Sequence, residues 1–360
     1  MKQIAVILAL LPLFTFAKVI TVVDSTDTLP VSGGTVIASS GLIRGFTDNN
    51  GKIDVNQHDF PLSVRSLGYE SAIIGDVSAD TIYLTPAVYS LQEVVVDPNA
   101  RPVTRVLAYA REYCTGATTT DTLQIYSEYM LEYFFDNGKV KGFNGNHRKA
   151  SQRNVRRYGR IAKASGDSIF RPAEDDDITM LSFVELLSSI PYKQQAEPKA
   201  IKEGERSIDT VAGKFYPKFI YRKSDNLFTV ECDALADYKE HKMSHWLFKM
   251  FGFTMDMHKV DRFLAYKTNR TGKYGLYDFI YETYNLSILG KGKMLKRLFD
   301  VKEEIAMDCC IEIYPVEINQ LTPDDYAEIK IEFKARHSEF ILPENIDPLP
   351  TAIQNIIDRQ

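Results

Sequence analysis

Tryptophan is nearly absent from this 360-residue chain, which has one, and cysteine is scarce, with four. Cys114, Cys232, Cys309 and Cys310 are too few for a disulfide scaffold in a chain of this length. Cys309 and Cys310 are adjacent, so on a strand they point to opposite faces and do not pair with each other. One bridge between other partners and four free buried thiols both stay open. No CxxC spacing occurs, which leaves no zinc knuckle and no thioredoxin-type site. A charge excess is lacking too. The 43 basic and 48 acidic residues give a net charge of -5, which argues against a nucleic-acid-binding surface. With 44% hydrophobic and 25% charged residues, the chain is neither disordered nor collagen-like. Beyond the N-terminus, no apolar run is long enough to cross a membrane as a helix. No Gly-x-Ser-x-Gly elbow, phosphate loop or dinucleotide fingerprint is present, so no catalytic residue, cofactor or metal ligand is assigned.

What is abundant is tyrosine and phenylalanine, 20 of each. Both suit pleated, half-buried surfaces and tilt the expectation toward β structure. The length points to two domains.

The first segment reads as an address. Lys2 supplies a positive start, Ile4 to Phe16 an apolar run broken by Pro12, and Thr15-Phe16-Ala17 the small residues of a cleavage site. Residues 1–17 are therefore expected to be a signal peptide and the mature chain an exported protein. No cysteine follows the cleavage point, so the usual lipid-modified N-terminus is not expected.

Residues 18–96 show short β-branched runs separated by turn formers. Val19 to Val23 ends at Asp24-Ser25-Thr26-Asp27-Thr28, and Thr35 to Ala38 follows Gly33-Gly34. Gly45 to Ile53 reads as strand, turn, strand, with Asn50-Gly51 suited to a primed hairpin turn. Leu62 to Leu67 and Thr81 to Leu84 add further strands, which together point to a small β-sandwich. The elements Val22-x-Asp24, Leu29-Pro30-Val31, Thr35-Val36, Thr47-Asp48-x-x-Gly51 and Ser66-Leu67-Gly68-Tyr69-Glu70 resemble the carboxypeptidase-like regulatory domain. So do Ile82-Tyr83-Leu84 and Leu91-Gln92-Glu93-Val94-Val95-Val96. One departure is Ile20, where the family usually has glycine. The resemblance implies a transthyretin-like, immunoglobulin-like sandwich, an accessory module common in exported Bacteroidota proteins. It also implies a place in the periplasm or at the inner face of the outer membrane. Read from the residues alone, Asp24, Asp48 and Asn50 are turn formers, since the regular spacing of a calcium loop is absent.

Asp97 to Pro102 is a short polar segment with two prolines, expected to be a linker. Residues 103–360 resemble no family. Val103, Val106, Leu107 and Ala110 recur at helical spacing and predict a helix over Val103 to Cys114. Leu123 to Tyr133 alternates and predicts a strand, turned back at Asp136-Asn137-Gly138-Lys139. Further strands are expected at Lys218–Lys223, Leu227–Cys232, Leu276–Leu286 and Ile305–Ile318. Helices are expected at Ile178–Ile190 after Asp177, at Pro323–Ala335 after Thr322, and within Asp233–Phe251. The fold class is thus mainly β / α+β: a sandwich followed by an α+β domain with a large curved antiparallel sheet. A small outer-membrane barrel is the rival architecture, opposed by the apparent helices and by the charged stretch Lys139 to Arg160.

Site candidates are weak. His241 and His245 stand four apart with His258 beyond, a spacing that can share a metal, but Lys242 occupies the place of the HExxH glutamate. Glu174 to Asp177 suits a helix start. Arg148, Arg153, Arg156 and Arg157 form a basic patch that reads as a solvated face, a mobile loop, or a contact for a phosphate-bearing or acidic partner such as lipid headgroups. Tyr126, Tyr129, Tyr133, Tyr221, Tyr277, Tyr281 and Tyr284 either fill a core or line a cleft for an amphipathic ligand. Together these features favour a non-enzymatic cell-envelope binding or scaffold protein, its partner an envelope protein or an amphipathic ligand. A metal-dependent hydrolase using His241 and His245 is the alternative.

Overall fold

A computed structural model of the protein describes residues 17–75, 78–87, 103–136, 148–171, 179–181, 206–210, 218–223, 227–233, 235, 253–269, 272, 274–292, 303–332, 340–344 and 346–359. The chain divides into two units, with the boundary after Pro86. The elements expected at Leu91–Val96 and at the 97–102 linker lie outside the described residues.

The first unit is a seven-stranded sandwich. Its strands are β1 (Ala17–Asp24), β2 (Thr35–Ile37), β3 (Ile43–Phe46), β4 (Lys52–Asn56), β5 (Leu62–Arg65), β6 (Ala72–Ile74) and β7 (Thr81–Leu84). One sheet has the order β4-β1-β7 and the other β3-β2-β5-β6. Only β1 and β7 run parallel. Alternation does the sorting: Ile20 and Val22 of β1, Ile82 and Leu84 of β7, and Leu62 and Val64 of β5 point inward to one core. Thr47 ties three segments from within, since its buried hydroxyl donates to Val31 O at 2.7 Å and accepts from Gly34 N at 2.8 Å.

The turn formers act as expected, with one difference. Asp48 Oδ1 accepts from Asn50 N and Lys52 N, both at 2.8 Å. Asp24 Oδ1 accepts from Thr26 N at 2.7 Å, while Oδ2 accepts from Tyr69 OH at 3.0 Å. However, Asp48–Gly51 is not a primed turn. Gly51 N donates to Asp48 O, and Gly51 has a positive φ where Asn50 does not. That is a type I turn followed by a left-handed glycine. It carries the chain from β3 in one sheet to β4 in the other, so no tight two-residue loop is required.

The second unit is built on β8 (Val103–Ala117), β9 (Thr122–Asp136), β10 (Arg148–Ala162), β11 (Ser168–Arg171), β12 (Arg206–Thr210), β13 (Lys218–Lys223), β14 (Leu227–Asp233), β15 (Phe253–Lys267), β16 (Phe279–Gly292) and β17 (Ile305–Leu321). They form one antiparallel ten-stranded sheet in the order β11-β10-β9-β8-β17-β16-β15-β14-β13-β12. Among the described residues β11 and β12 are not paired with each other. Helices α1 (Pro323–Glu332) and α2 (Thr351–Ile357) follow. In α1 the Thr322 side chain accepts from Asp325 N at 3.1 Å, and Asp325 returns the bond to Thr322 N at 2.9 Å. The architecture is mainly β / α+β.

The helix expected over Val103–Cys114 is strand β8 instead. Its apolar residues fit a helical period only because the strand is buried on both faces, so the alternation that marks a one-sided strand is hidden. Valine, threonine and tyrosine at Val103, Thr104, Val106, Tyr109 and Tyr113 favour the pleated form. The basic stretch around Arg156 lies in a fifteen-residue strand, β10, and is neither loop nor barrel interruption. Residues 276–278 form a 3-10 turn, so β16 begins at Phe279, after the expected start. Of the helix expected at Ile178–Ile190, only Thr179 to Leu181 are described, and Met180 and Leu181 are helical. Most of Asp233–Phe251 and the Asn137–Lys139 turn lie outside the described residues.

Candidate functional site

The sheet sorts its side chains into two faces with different chemistry. Along β8, Val106, Ala108, Ala110, Glu112 and Cys114 share one face, and Arg105, Tyr109, Arg111 and Tyr113 the other. The Glu112 face is largely apolar: Leu131 and Tyr129 of β9, Ile311 and Ile313 of β17, and Leu286 of β16 join it. Met180, Leu181 and Leu235, from outside the strands, pack on it.

One charge sits inside that apolar face. Glu112 is 2% exposed, and its carboxylate accepts from Met180 N (3.0 Å), Leu181 N (3.4 Å) and Tyr129 OH (3.3 Å). Ser127 and the Arg157 guanidinium complete its surroundings. Burial holds the carboxyl above its ordinary range, against the lowering effect of Arg157 and the backbone N–H groups. Glu112 thus anchors the start of the helical segment at Met180, a capping acceptor supplied from the sheet. Further along the face Arg262 pairs with Glu282 and lies over the Tyr284 ring, 5.7 Å from its centroid. Beyond it the rings of Tyr221, Phe228 and Tyr274 stack, Phe228 and Tyr274 at 4.2 Å.

The Arg111 face is a ladder of buried polar pairs. Arg105 bridges Glu132 (2.5 Å) and Glu317 (3.2 Å). Arg111, 4% exposed, pairs with Glu312, which also accepts from Tyr314 OH at 3.1 Å. Tyr109 OH donates to Glu128 at 3.1 Å and lies 3.3 Å from Tyr126 OH. Burial pushes the Tyr126 hydroxyl up to about 12. Farther along, Lys259 contacts Asp261 at 2.9 Å and Ser287 Oγ donates to Asp308 at 2.5 Å. Burial outweighs the nearby lysine and raises Asp261 to about 6. The C-terminal segment lies against this face: Asp347 O accepts from Arg111 Nη1 at 2.9 Å, and Phe340 stacks under the Arg156 guanidinium at 4.1 Å. In α2, Ile353 and Ile356 are each 1% exposed.

The seven tyrosines fall on both faces. Tyr129, Tyr133, Tyr221 and Tyr284 belong to the Glu112 face, Tyr126 and Tyr281 to the Arg111 face, and all six are buried. Tyr277 is half-buried, its hydroxyl accepting from Gln320 Nε2 at 2.6 Å. These rings are packing, not the lining of an open cleft. Of the basic patch, Arg156 joins Glu128, Arg157 turns inward to Ser127 and Glu112, and Arg160 bonds Ser168. His258 is exposed at a bulge of β15. His241, His245 and Glu174–Asp177 lie outside the described residues.

Exposed apolar side chains tell a different story. Val19 (52%) and Tyr83 (59%) point outward from β1 and β7 of one sandwich sheet, and Ile73 (77%) from edge strand β6 of the other. The register sets Tyr83 beside Val23, which is buried, and Thr81 beside Thr21. Sequence reading missed these exposed side chains and the Glu112 and Arg111 pairs. The adjacent charges Arg111-Glu112 in the middle of β8 were the available signal.

No protein-family model matches the chain, and no curated protein does. A solved structure of lipid–protein interactions in lipovitellin is similar at 10% identity, over 61% of this chain and 26% of that one, with a TM-score of 0.31. This chain therefore spans about a quarter of that one's length, and the likeness is too slight to carry an argument.

Proposed function

We propose that the protein is a non-enzymatic scaffold of the cell envelope, exported after loss of residues 1–17, with a carboxypeptidase-like regulatory sandwich as its docking unit. The carrying observation is the pair of outward side chains Val19 and Tyr83 on adjacent strands of one sandwich sheet. The sheet consumes its charges and rings internally, in the Glu112, Arg111 and Arg262 pairs. The sandwich presents Val19 and Tyr83 outward from one sheet and Ile73 from the other, while the second unit exposes Ile169 of β11 and Ile341 and Leu342 of its C-terminal segment. An exposed tyrosine is a side chain enriched in protein-binding patches. The burial of the sheet tyrosines favours a partner protein over an amphipathic ligand. Cleavage after Ala17 fits this reading, since it spares the β1 pairing from Lys18↔Val55 to Thr21↔Lys52. Any association with the outer membrane is then peripheral, through that partner.

The test places a photo-crosslinking residue at Tyr83 in the full chain in its native envelope. The expected result is one discrete adduct that disappears with Val19→Asp, while Tyr83→Ser changes stability by less than about 0.5 kcal/mol. Loss of the adduct reading, or an uncleaved N-terminus on the native protein, overturns the proposal.

A further inference from the structure

The register of the sheet brings two of the four cysteines together. Cys114 of β8 is the direct cross-strand partner of Cys309 of β17. Both belong to the Glu112 face, at 2% and 0% exposure, and their thiols are hydrogen-bonded to each other. Residues directly opposed on antiparallel strands have Cα atoms about 4.5–5.5 Å apart. That lies inside the roughly 4.4–6.8 Å range of disulfides, so the spacing of the two strands permits the bond. The other two thiols are placed elsewhere. Cys310 turns to the Arg111 face opposite Tyr113, and Cys232 on β14 stands between Phe219 and Arg262.

We propose that Cys114 and Cys309 form a cross-strand disulfide, a covalent seam between the first and last strands of the ten-stranded sheet. The oxidant is a small-molecule or protein disulfide acting by exchange. One protein thiol loses its proton and attacks a sulfur of glutathione disulfide, which forms a mixed disulfide and releases one glutathione thiolate. The second protein thiol, also deprotonated, attacks the protein-side sulfur and expels the other. Two protein thiols are oxidised to one disulfide, one glutathione disulfide is reduced to two glutathiones, and the two protons end on those thiols. Burial raises both thiols in the folded sheet, so thiolate is scarce there. The bond therefore forms while β17 is docking, and the packed sheet then shields it from reductant. Export is not required for the geometry; it supplies the compartment in which the bond persists.

The test refolds the full chain from denaturant in a glutathione redox couple, then alkylates it under denaturing conditions and maps the peptides. The expected map shows two alkylated cysteines, Cys232 and Cys310, one linked peptide pair containing Cys114 and Cys309, and a mass lower by two hydrogens. Cys114→Ser should leave Cys309 alkylated. Four alkylated cysteines, or a linked pair containing Cys232 or Cys310, overturn the proposal. For a chain that does not refold, the same map on protein expressed in an oxidising compartment reads the same outcomes.

Discussion

The two units solve the burial of a β-sheet in opposite ways. The sandwich closes three strands over four around a core of aliphatic residues, and its polar groups serve turns: Asp24, Asp48 and Thr47 bind nearby backbone or neighbouring loops. The ten-stranded sheet is covered on both faces over its central strands, so charge must be accommodated inside, and it is, as matched pairs. A buried pair adds little net stability over an apolar substitute, but removing one partner leaves an uncompensated charge. The sandwich is therefore sensitive at its turns and the sheet at its pairs.

Arg111→Ala should break the sheet most severely. It leaves Glu312 buried without its cation and should cost about 3–5 kcal/mol. Amide exchange in β8 and β17 across a urea titration reads the sheet unit. Amide exchange in β1 and β5 should stay unchanged. A comparable loss of protection in the sandwich would erase the contrast.

Gly51→Ala should do the reverse. The glycine has φ +71°, and an added Cβ would lie 2.3 Å from Val22 O, so the turn must shift. The cost should be about 3 kcal/mol, the upper end of the range for a strained left-handed residue. Accelerated exchange in β1 and β4, with exchange in β8 and β17 unchanged, is the expected pattern.

A smaller effect sharpens the picture through pH. Asp261 is raised to about 6 in the folded sheet by burial. The folded state therefore holds this proton through a range where the unfolded chain has released it. Stability conferred by the neutral form is complete below the unfolded pKa and falls as pH rises from about 4 through 6. Asp261→Asn should flatten that slope, on the order of 2 kcal/mol, in denaturation midpoints taken between pH 4 and 7.

Much of this fold was legible, and the failures have one cause. Short strands with one buried face, β1, β5 and β7, show their alternation in sequence, and β13, β14 and β17 are bounded by turn residues. β8 misleads because both of its faces are buried, and β10 because its arginines pair with residues of β9 and β8. Glu112 and Arg111 could not be assigned from sequence, because their partners Met180, Glu312 and Asp347 lie far along the chain. The same distance hid the pairing of Cys114 with Cys309, although the opposed orientations of Cys309 and Cys310 were readable from the two-residue period of a strand.

The central position of β8 beside β17 also sets the order of events at the ribosome. β8 can form a hairpin with β9 as soon as both have emerged, but its other edge is satisfied only by β17, roughly 195 residues later. Translation at about 5–20 residues per second leaves that edge, and the apolar surface behind it, unpaired for roughly 10–40 seconds. An open strand edge is a template for other chains. Nascent copies of this protein are therefore most exposed to one another along β8, and a holdase that covers that edge should raise the yield of soluble chain more than any stabilisation of the finished sheet.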